Sequence, residues 1–412
     1  MKLETLKGSG MSMKHLTPVW IVFLFLVSSC EKSRQSNHEP GFQEAPVYLS
    51  DIEFTDESLK MCARFQENKI EYITNFGCDV EFEVDDLTGL EYLTNLVSLN
   101  LNLGVKVKNF PTEHFKNLRK LRLTNAPSLE YIDVSNLPHL KSLNIGPSEL
   151  ESLDIANNQS LEDLIIIGAN IDHLDASKNV NLRELTIVNA GLRSLDLSMN
   201  SDLIWIDLSN NKLEELDVDN NVLLEFLSLD NNSIEKLDLC NNKNIHFVSV
   251  NSNGLESLDV SCLRNLKHLK LENNSLSDID FHPEARLYEI ALSSNFLSFL
   301  DLSSMSSMQA LYLANNQLEK LSLAAGVEVG EVDISGNSIT CSEYAFDAQF
   351  GLCVDGPGNT VFDQVVKHLN LVGCFSADAF YKSVHFVRCS GQVKPDTKFL
   401  QIPCYRASLG GH

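Results

Sequence analysis

The chain has 412 residues, 43% of them apolar and 21% charged, which is enough apolar matter to bury a large core. Its formal charge of −24 excludes the clustered basic footprint that nucleic-acid binding needs. Acidity of this size favours solubility and basic or cation-bearing partners.

Residues 1–12 precede a short basic stretch at Met13, Lys14 and His15 and a run of nine apolar residues, 19–27. The run is too short to span a bilayer as a mature helix and fits the apolar part of a secretory signal. It ends in Val27-Ser28-Ser29-Cys30, which resembles a bacterial lipobox with Cys30 as the lipidated residue. The competing reading is an ordinary signal peptide whose cleavage site falls beside a cysteine. Residues 30–50 are polar, with two prolines, and read as a tether. The expected location is the bacterial cell envelope, with membrane contact through the N-terminal lipid only.

Export makes disulfides the default reading of the other nine cysteines. Cys62 and Cys78 flank an expected helix-and-strand cap over residues 51–95. Cys240 and Cys262, 22 residues apart at neighbouring turns, are either bridged or two buried thiols. Cys341, Cys353, Cys374, Cys389 and Cys404 fall in a cysteine-rich tail, 341–412, where Cys341–Cys353 is a candidate pair. Nine is odd, so at least one thiol stays unbridged within the chain.

Between the caps, residues 96–340 repeat. Asn211, Asn232, Asn253, Asn274, Asn295, Asn316 and Asn337 stand 21 residues apart, each at the ninth place of an LxxLxLxxN pattern. A fixed period of this length marks a solenoid of stacked coils, about twelve here. Two LxxLxL strand families alternate, one starting at Leu203, Leu224 and Ile245, the other at Leu213, Ile234 and Leu255. Places 1, 4 and 6 point inward, while 2, 3 and 5 point outward. Each ladder asparagine is expected to turn inward and satisfy backbone groups of its own and the adjacent turn. A second row, Asn158, Asn179, Asn200, Asn221 and Asn242, gives way to Leu263, Glu284 and Met305. The later coils must therefore close that turn differently.

The pattern resembles bacterial leucine-rich-repeat proteins of the short 21-residue class found in internalin-like surface proteins. Residues 203–221 (LIWIDLSNNKLEELDVDNN) carry the likeness most closely, and it covers about residues 84–340. It implies a mostly β leucine-rich-repeat solenoid of the α/β class, coiled right-handed with a parallel strand on each side of every coil. It also implies little helix, disulfide-stabilised caps and a non-catalytic role in protein recognition.

Two outward columns differ. In the second family, place 5 holds Asp154, Asp175, Asp196, Asp217, Asp238, Asp259, Asp280 and Asp301. Stacked about 4.8 Å apart, neighbouring carboxylates repel by about 1 kcal/mol even in water. Either each accepts a hydrogen bond from the turn two residues on, where Ser177, Ser198, Ser261 and Ser303 stand, or calcium ions neutralise the row. The first reading is favoured, and no other cofactor is implied.

In the first family, place 3 presents Trp205, Phe226, Phe247 and His268 on four successive coils. Ile204 and His246 lie beside them at place 2, Tyr288 follows one coil on, and Tyr312 stands at place 5. Contiguous exposed aromatics mark an interaction site. The competing readings are cover by another part of the chain and chance. A protein partner is the expected ligand and carbohydrate the alternative; an envelope scaffold or signalling adaptor is a third, and the chain is expected to be monomeric. Catalytic signals are weak: Cys353-Val-Asp355 matches a bare CxD seen in secreted leucine-rich-repeat ubiquitin ligases, yet the large helical domain of those enzymes has no room here. His368, His385 and Cys374 have no supporting spacing, so no enzyme is expected.

Overall fold

The computed structural model describes residues 46–338, apart from 65–67, 79–80, 306 and 324–327, and the paired backbones of Tyr344–Asp347 and Leu352–Asp355. Cys30, the signal and most of the tether, Cys341 and the side chain of its candidate partner Cys353, Cys374, His368 and His385 lie outside the described residues.

The first strand family forms one parallel sheet. It begins at Asn75–Gly77, continues through Ser98–Leu103, and runs coil by coil to Glu328–Asp333, with Glu83–Val84 added beside Ser98–Leu103. The first steps along it are 22–23 residues, Asn75 to Ser98, Ser98 to Lys120 and Lys120 to Ser142; from Ser142 on, each residue pairs with the one 21 places on: Trp205 with Phe226, Phe226 with Phe247, Phe247 with His268. The opposite side carries parallel pairing in two short sheets, Asn109–Phe110 with Tyr131–Ile132 and Phe299–Leu302 with Lys320–Leu323. Isolated bridges join His173 to Ser194 and Val260 to Phe281. The chain is thus a mostly β parallel solenoid of about twelve turns with little helix. Its inward places, such as Leu224, Leu227, Leu229, Ile234 and Leu239, are fully buried in one continuous core. At roughly 1.5–3 kcal/mol for each such side chain, neighbouring coils supply the burial that one coil cannot.

The N-terminal cap rests on Asp56. One carboxylate oxygen caps the helix Glu57–Ala63 by accepting the N–H groups of Ser58 and Leu59 at 2.8 and 3.1 Å. The other accepts those of Asp85 and Asp86, tying the helix to the start of the sheet. A disulfide joins Cys62 of this helix to Cys78, just after the first strand.

Both asparagine rows are hydrogen-bonding ladders, but of different kinds. In the first, Asn274 Nδ2 donates to Val250 O at 2.8 Å and Leu271 O at 3.1 Å, while its Oδ1 accepts Leu255 N–H at 3.1 Å. In the second, Asn242 Nδ2 donates to Val218 O and Asn221 O, both at 2.9 Å. The Oδ1 atoms of this second row, from Asn158 to Asn242, are buried without a donor among the described residues. After Asn242 the inward place passes to apolar side chains, Leu263, Ala285 and Met305. The sequence register put Glu284 at the middle one. That residue is exposed, because the turn shifts by one and closes from Ala285 N–H to His282 O.

A third ladder escaped the sequence analysis. Residues 189, 210, 231, 252, 273, 294 and 315, flanked by Gly168 and Gly336, all have φ between 54° and 69°. The left-handed conformation favours Gly and Asn, and five of the seven non-glycine residues are Asn. Asn or Gly immediately before the inward asparagine was the available signal.

Candidate binding face

Seven of the eight aspartates of the column, all but Asp280, are held by their own turns. Asp154, Asp175, Asp196, Asp217, Asp238, Asp259 and Asp301 each accept the backbone N–H two residues on, at 2.8–2.9 Å. The side chains of Ser177, Ser198, Ser261 and Ser303 are the main cause holding Asp175, Asp196, Asp259 and Asp301 below the ordinary carboxylate value. The same turn that bends the chain therefore stabilises the charge. Cys240 and Cys262, left open between a bridge and two thiols, are joined, with Cα atoms 5.5 Å apart.

On the first-family face, the rings form a stack. Trp205 and Phe226 lie parallel within 2° at a centroid distance of 3.5 Å; Phe226 and Phe247 follow at 4.4 Å and 11°. His268 tilts against Phe247 at 5.9 Å, and Tyr288 against His268 at 5.4 Å. All but Tyr288 are half-buried, and Tyr288 is 53% exposed. Strand spacing of about 4.8 Å is close to the stacking distance of flat rings, so repetition at one place produces the column. Phe226 is sandwiched, with its faces spent on its neighbours. The column therefore offers solvent mainly ring edges.

Ile204 and His246 are half-buried at place 2 of the Trp205 and Phe247 coils. Tyr312 stands apart from the stack. It pairs with Ala291, at place 5, and its hydroxyl donates to Glu331 Oε2 at 2.7 Å. That bond is the main cause pushing the phenol up to about 12.

Beside the stack lies a polar row that sequence reasoning did not assemble. Ser209 Oγ bonds Asp207 Oδ1 at 2.6 Å and Ser228 Oγ at 2.8 Å. Ser249 Oγ and Asn251 N–H both reach Asp230 Oδ1 at 2.7 Å. Lys270 Nζ sits 6.0 Å from the Phe247 ring centroid and 3.0 Å from Glu289 Oε1. These residues stand at places 5 and 7, which the same register would have aligned.

The stack ends in carboxylates on both sides. Glu289 pairs with His268, and Glu184 pairs with Trp205 and continues to Asp163. Partial burial pushes the Asp163 and Glu184 carboxyls up from their usual range, with Glu162 adding to the first and Asp163 to the second. Arg183 works against both, and Lys120 and Ser142 against the first.

A carboxyl raised in the folded state contributes stability that is complete below its unfolded value and lost as pH rises through the folded one. The unfolded references are 3.8 for Asp163 and 4.5 for Glu184. The double variant Asp163→Asn/Glu184→Gln is therefore expected to gain stability over the parent as pH climbs from about 4 toward 7. Denaturant midpoints measured across that range check it; a difference independent of pH would refute it.

A family model described as the leucine-rich-repeat domain of the endo-beta-N-acetylglucosaminidase EndoS matches residues 56–179. No curated protein matches the chain. Among solved structures, the functional domain of InlJ from Listeria monocytogenes, which includes a cysteine ladder, superposes with a TM-score of 0.55. Identity is 20%, over 77% of this chain and 88% of that one. The LRIM1/APL1C complex gives 0.51 at 18% identity, over 72% of this chain and 62% of that one. The APL1 leucine-rich-repeat domain gives 0.51 at 19%, over 61% and 71%. At these identities the likeness is one of fold, and it agrees with the ladders and the sheet: this chain is a leucine-rich-repeat solenoid.

Proposed function

We propose that the chain is a non-catalytic recognition protein that binds a protein partner through the face centred on Trp205, Phe226, Phe247 and His268. The observation that carries this reading is the ring stack, half-buried on a regular parallel sheet. A solvated strand needs no tryptophan or phenylalanine, and rigid aromatics give large contact area at low entropic cost. The geometry favours protein over sugar. Sugars dock on ring faces, and here the faces of Phe226 are spent on Trp205 and Phe247.

The experiment compares the proteins captured by the parent and by Trp205→Ala/Phe226→Asp from envelope extracts. A partner retained by the parent and weakened at least a hundredfold in the double variant is the expected result, about 3 kcal/mol in binding. Unchanged capture would sink the reading.

Envelope anchoring through Cys30 rests on the export signal in residues 13–30. Metabolic lipid labelling is expected for the parent chain and absent in Cys30→Ala.

A further inference from the structure

The sheet that carries the ring stack changes sign toward its start. The strand Lys120–Asn125 and the residue before it present Arg119, Lys120 and Arg122 at the outward places 2, 3 and 5. All three are exposed, and none forms an ion pair or a side-chain hydrogen bond among the described residues. The chain has 56 acidic and 32 basic residues, so its net charge hides this local reversal.

The adjoining strands add no free carboxylate. Lys120 pairs with Ser98 and Ser142, and Arg122 with Asn100 and Asn144. At place 2 the flanking residues are Val97 and Lys141, and Lys141 is spent on Glu162. The next acid in the Lys120 column is Asp163, two strands on, where Lys120 and Ser142 both act on it. Another strand shows how the fold neutralises the same pattern. Lys267, His268 and Lys270 occupy the same three places, and Glu289 on the following strand reaches Lys270 Nζ at 3.0 Å and His268 Nδ1 at 3.2 Å. Beside Lys120, the place that Glu289 fills there is held by Ser142.

We propose that Arg119, Lys120 and Arg122 form an anion subsite of the recognition sheet, which receives an acidic, extended segment of the protein partner. The inference rests on the reading of this sheet as the partner-binding face. It adds the partner's chemistry at a point four strands, or roughly 19 Å, before Trp205. Lys120 and Arg122 lie two residues apart on one strand, roughly 6.8 Å, which is also the spacing of alternate side chains in an extended peptide. A segment lying along the strand can set carboxylates at i and i+2 over both, with Arg119 placed to take a third. The arginine forks bind carboxylates bidentately, which lysines alone cannot do. Ser98, Asn100 and Asn144 are half-buried beside them and bring polar groups without competing charge. A long polyanion fits worse, because the cations cover a single strand and acids return at Glu162 and Asp163.

The test uses the full chain and a fluorescein-labelled nine-residue peptide of alternating glutamate and glycine. Its anisotropy is followed beside that of the same peptide carrying glutamine for glutamate. The expected result is saturable binding, at least tenfold tighter for the glutamate peptide and weakening as salt is raised. Arg119→Gln/Lys120→Gln/Arg122→Gln should cost at least tenfold, with circular dichroism unchanged. Lys212→Gln/Lys236→Gln, which removes two exposed lysines outside this sheet, should cost less than twofold. The comparison of peptides is made on the parent and so holds even where the triple variant folds poorly. Equal binding of the two peptides, no binding of either, or equal losses in the two variants overturns the subsite. A sulfated oligosaccharide that binds the same three residues more tightly than the glutamate peptide overturns the choice of a protein segment. The ring stack is judged separately. Partner loss in Trp205→Ala/Phe226→Asp beside equal binding of the two peptides leaves the recognition face standing and removes only the anion subsite. Unchanged partner capture beside glutamate-selective binding strikes the ring stack as the centre of the face and keeps the anion subsite.

Discussion

Asn274→Ala is expected to destabilise the protein by about 3–5 kcal/mol, one of the largest effects available to a single substitution in this fold. The side chain is 7% exposed and serves four backbone groups on two coils: Val250 O, Leu271 O, Glu272 O and Leu255 N–H. Truncation leaves these buried groups unpaired at about 1–3 kcal/mol each, partly relieved where water can enter. A larger apolar residue fills the space and leaves the groups just as orphaned. Asn274→Leu should therefore be nearly as harmful as Asn274→Ala. Urea unfolding of the full chain, read with amide exchange at Leu255, checks the size and the place of the loss. A cost below about 1 kcal/mol would show that the ladder is not structural.

Asn242→Leu is the informative contrast. Its side chain donates two bonds and accepts none, with Oδ1 a buried acceptor lacking a donor among the described residues. The chain already performs the replacement one coil later, where Leu263 takes the equivalent place and is fully buried. Loss of two donated bonds is partly offset by removal of an idle buried oxygen. The leucine variant should cost less than half of what Asn274→Leu costs.

The ladders show why much of this molecule could be read from its sequence. A period of 21 aligns every place with its neighbours, so once Leu224, Leu227 and Leu229 are inward, Phe226 and Phe247 must share an outward column. Register carries position, not orientation. That Trp205 and Phe226 lie flat on one another, exposing edges rather than faces, follows from side-chain torsions that a pattern of letters does not hold. Tyr312 shows the same limit: it is outward as expected, but at place 5, bonded to Glu331 and away from the stack. The one-residue turn shift that exposes Glu284 and buries Ala285 occurs where the repeat loses its asparagine, so the local register has no anchor.

The Cys240–Cys262 bridge spans that change of regime. Cys240 stands two residues before Asn242, the last amide of the second ladder, and Cys262 stands one before Leu263, the first apolar substitute. Up to Asn242 each coil reaches back to its predecessor with two donated bonds; from Leu263 onward this turn gives none through its side chain. A covalent tie between the two turns replaces part of what the ladder no longer supplies. Closing a loop across 22 residues is worth about 3 kcal/mol through loss of freedom in the unfolded chain. The double variant Cys240→Ser/Cys262→Ser is expected to lose about that amount. Serine substitution is the cleaner probe than a reductant, which would also open Cys62–Cys78. The interface between stacked repeats carries cooperativity, so weakening one interface can split a single transition into two. Calorimetry of the double variant should show a lower midpoint with a broadened or divided peak, and amide exchange should quicken first in the coils that meet at Asn242 and Leu263. A variant with the parent's midpoint and a single sharp transition would mean that apolar packing alone holds this junction.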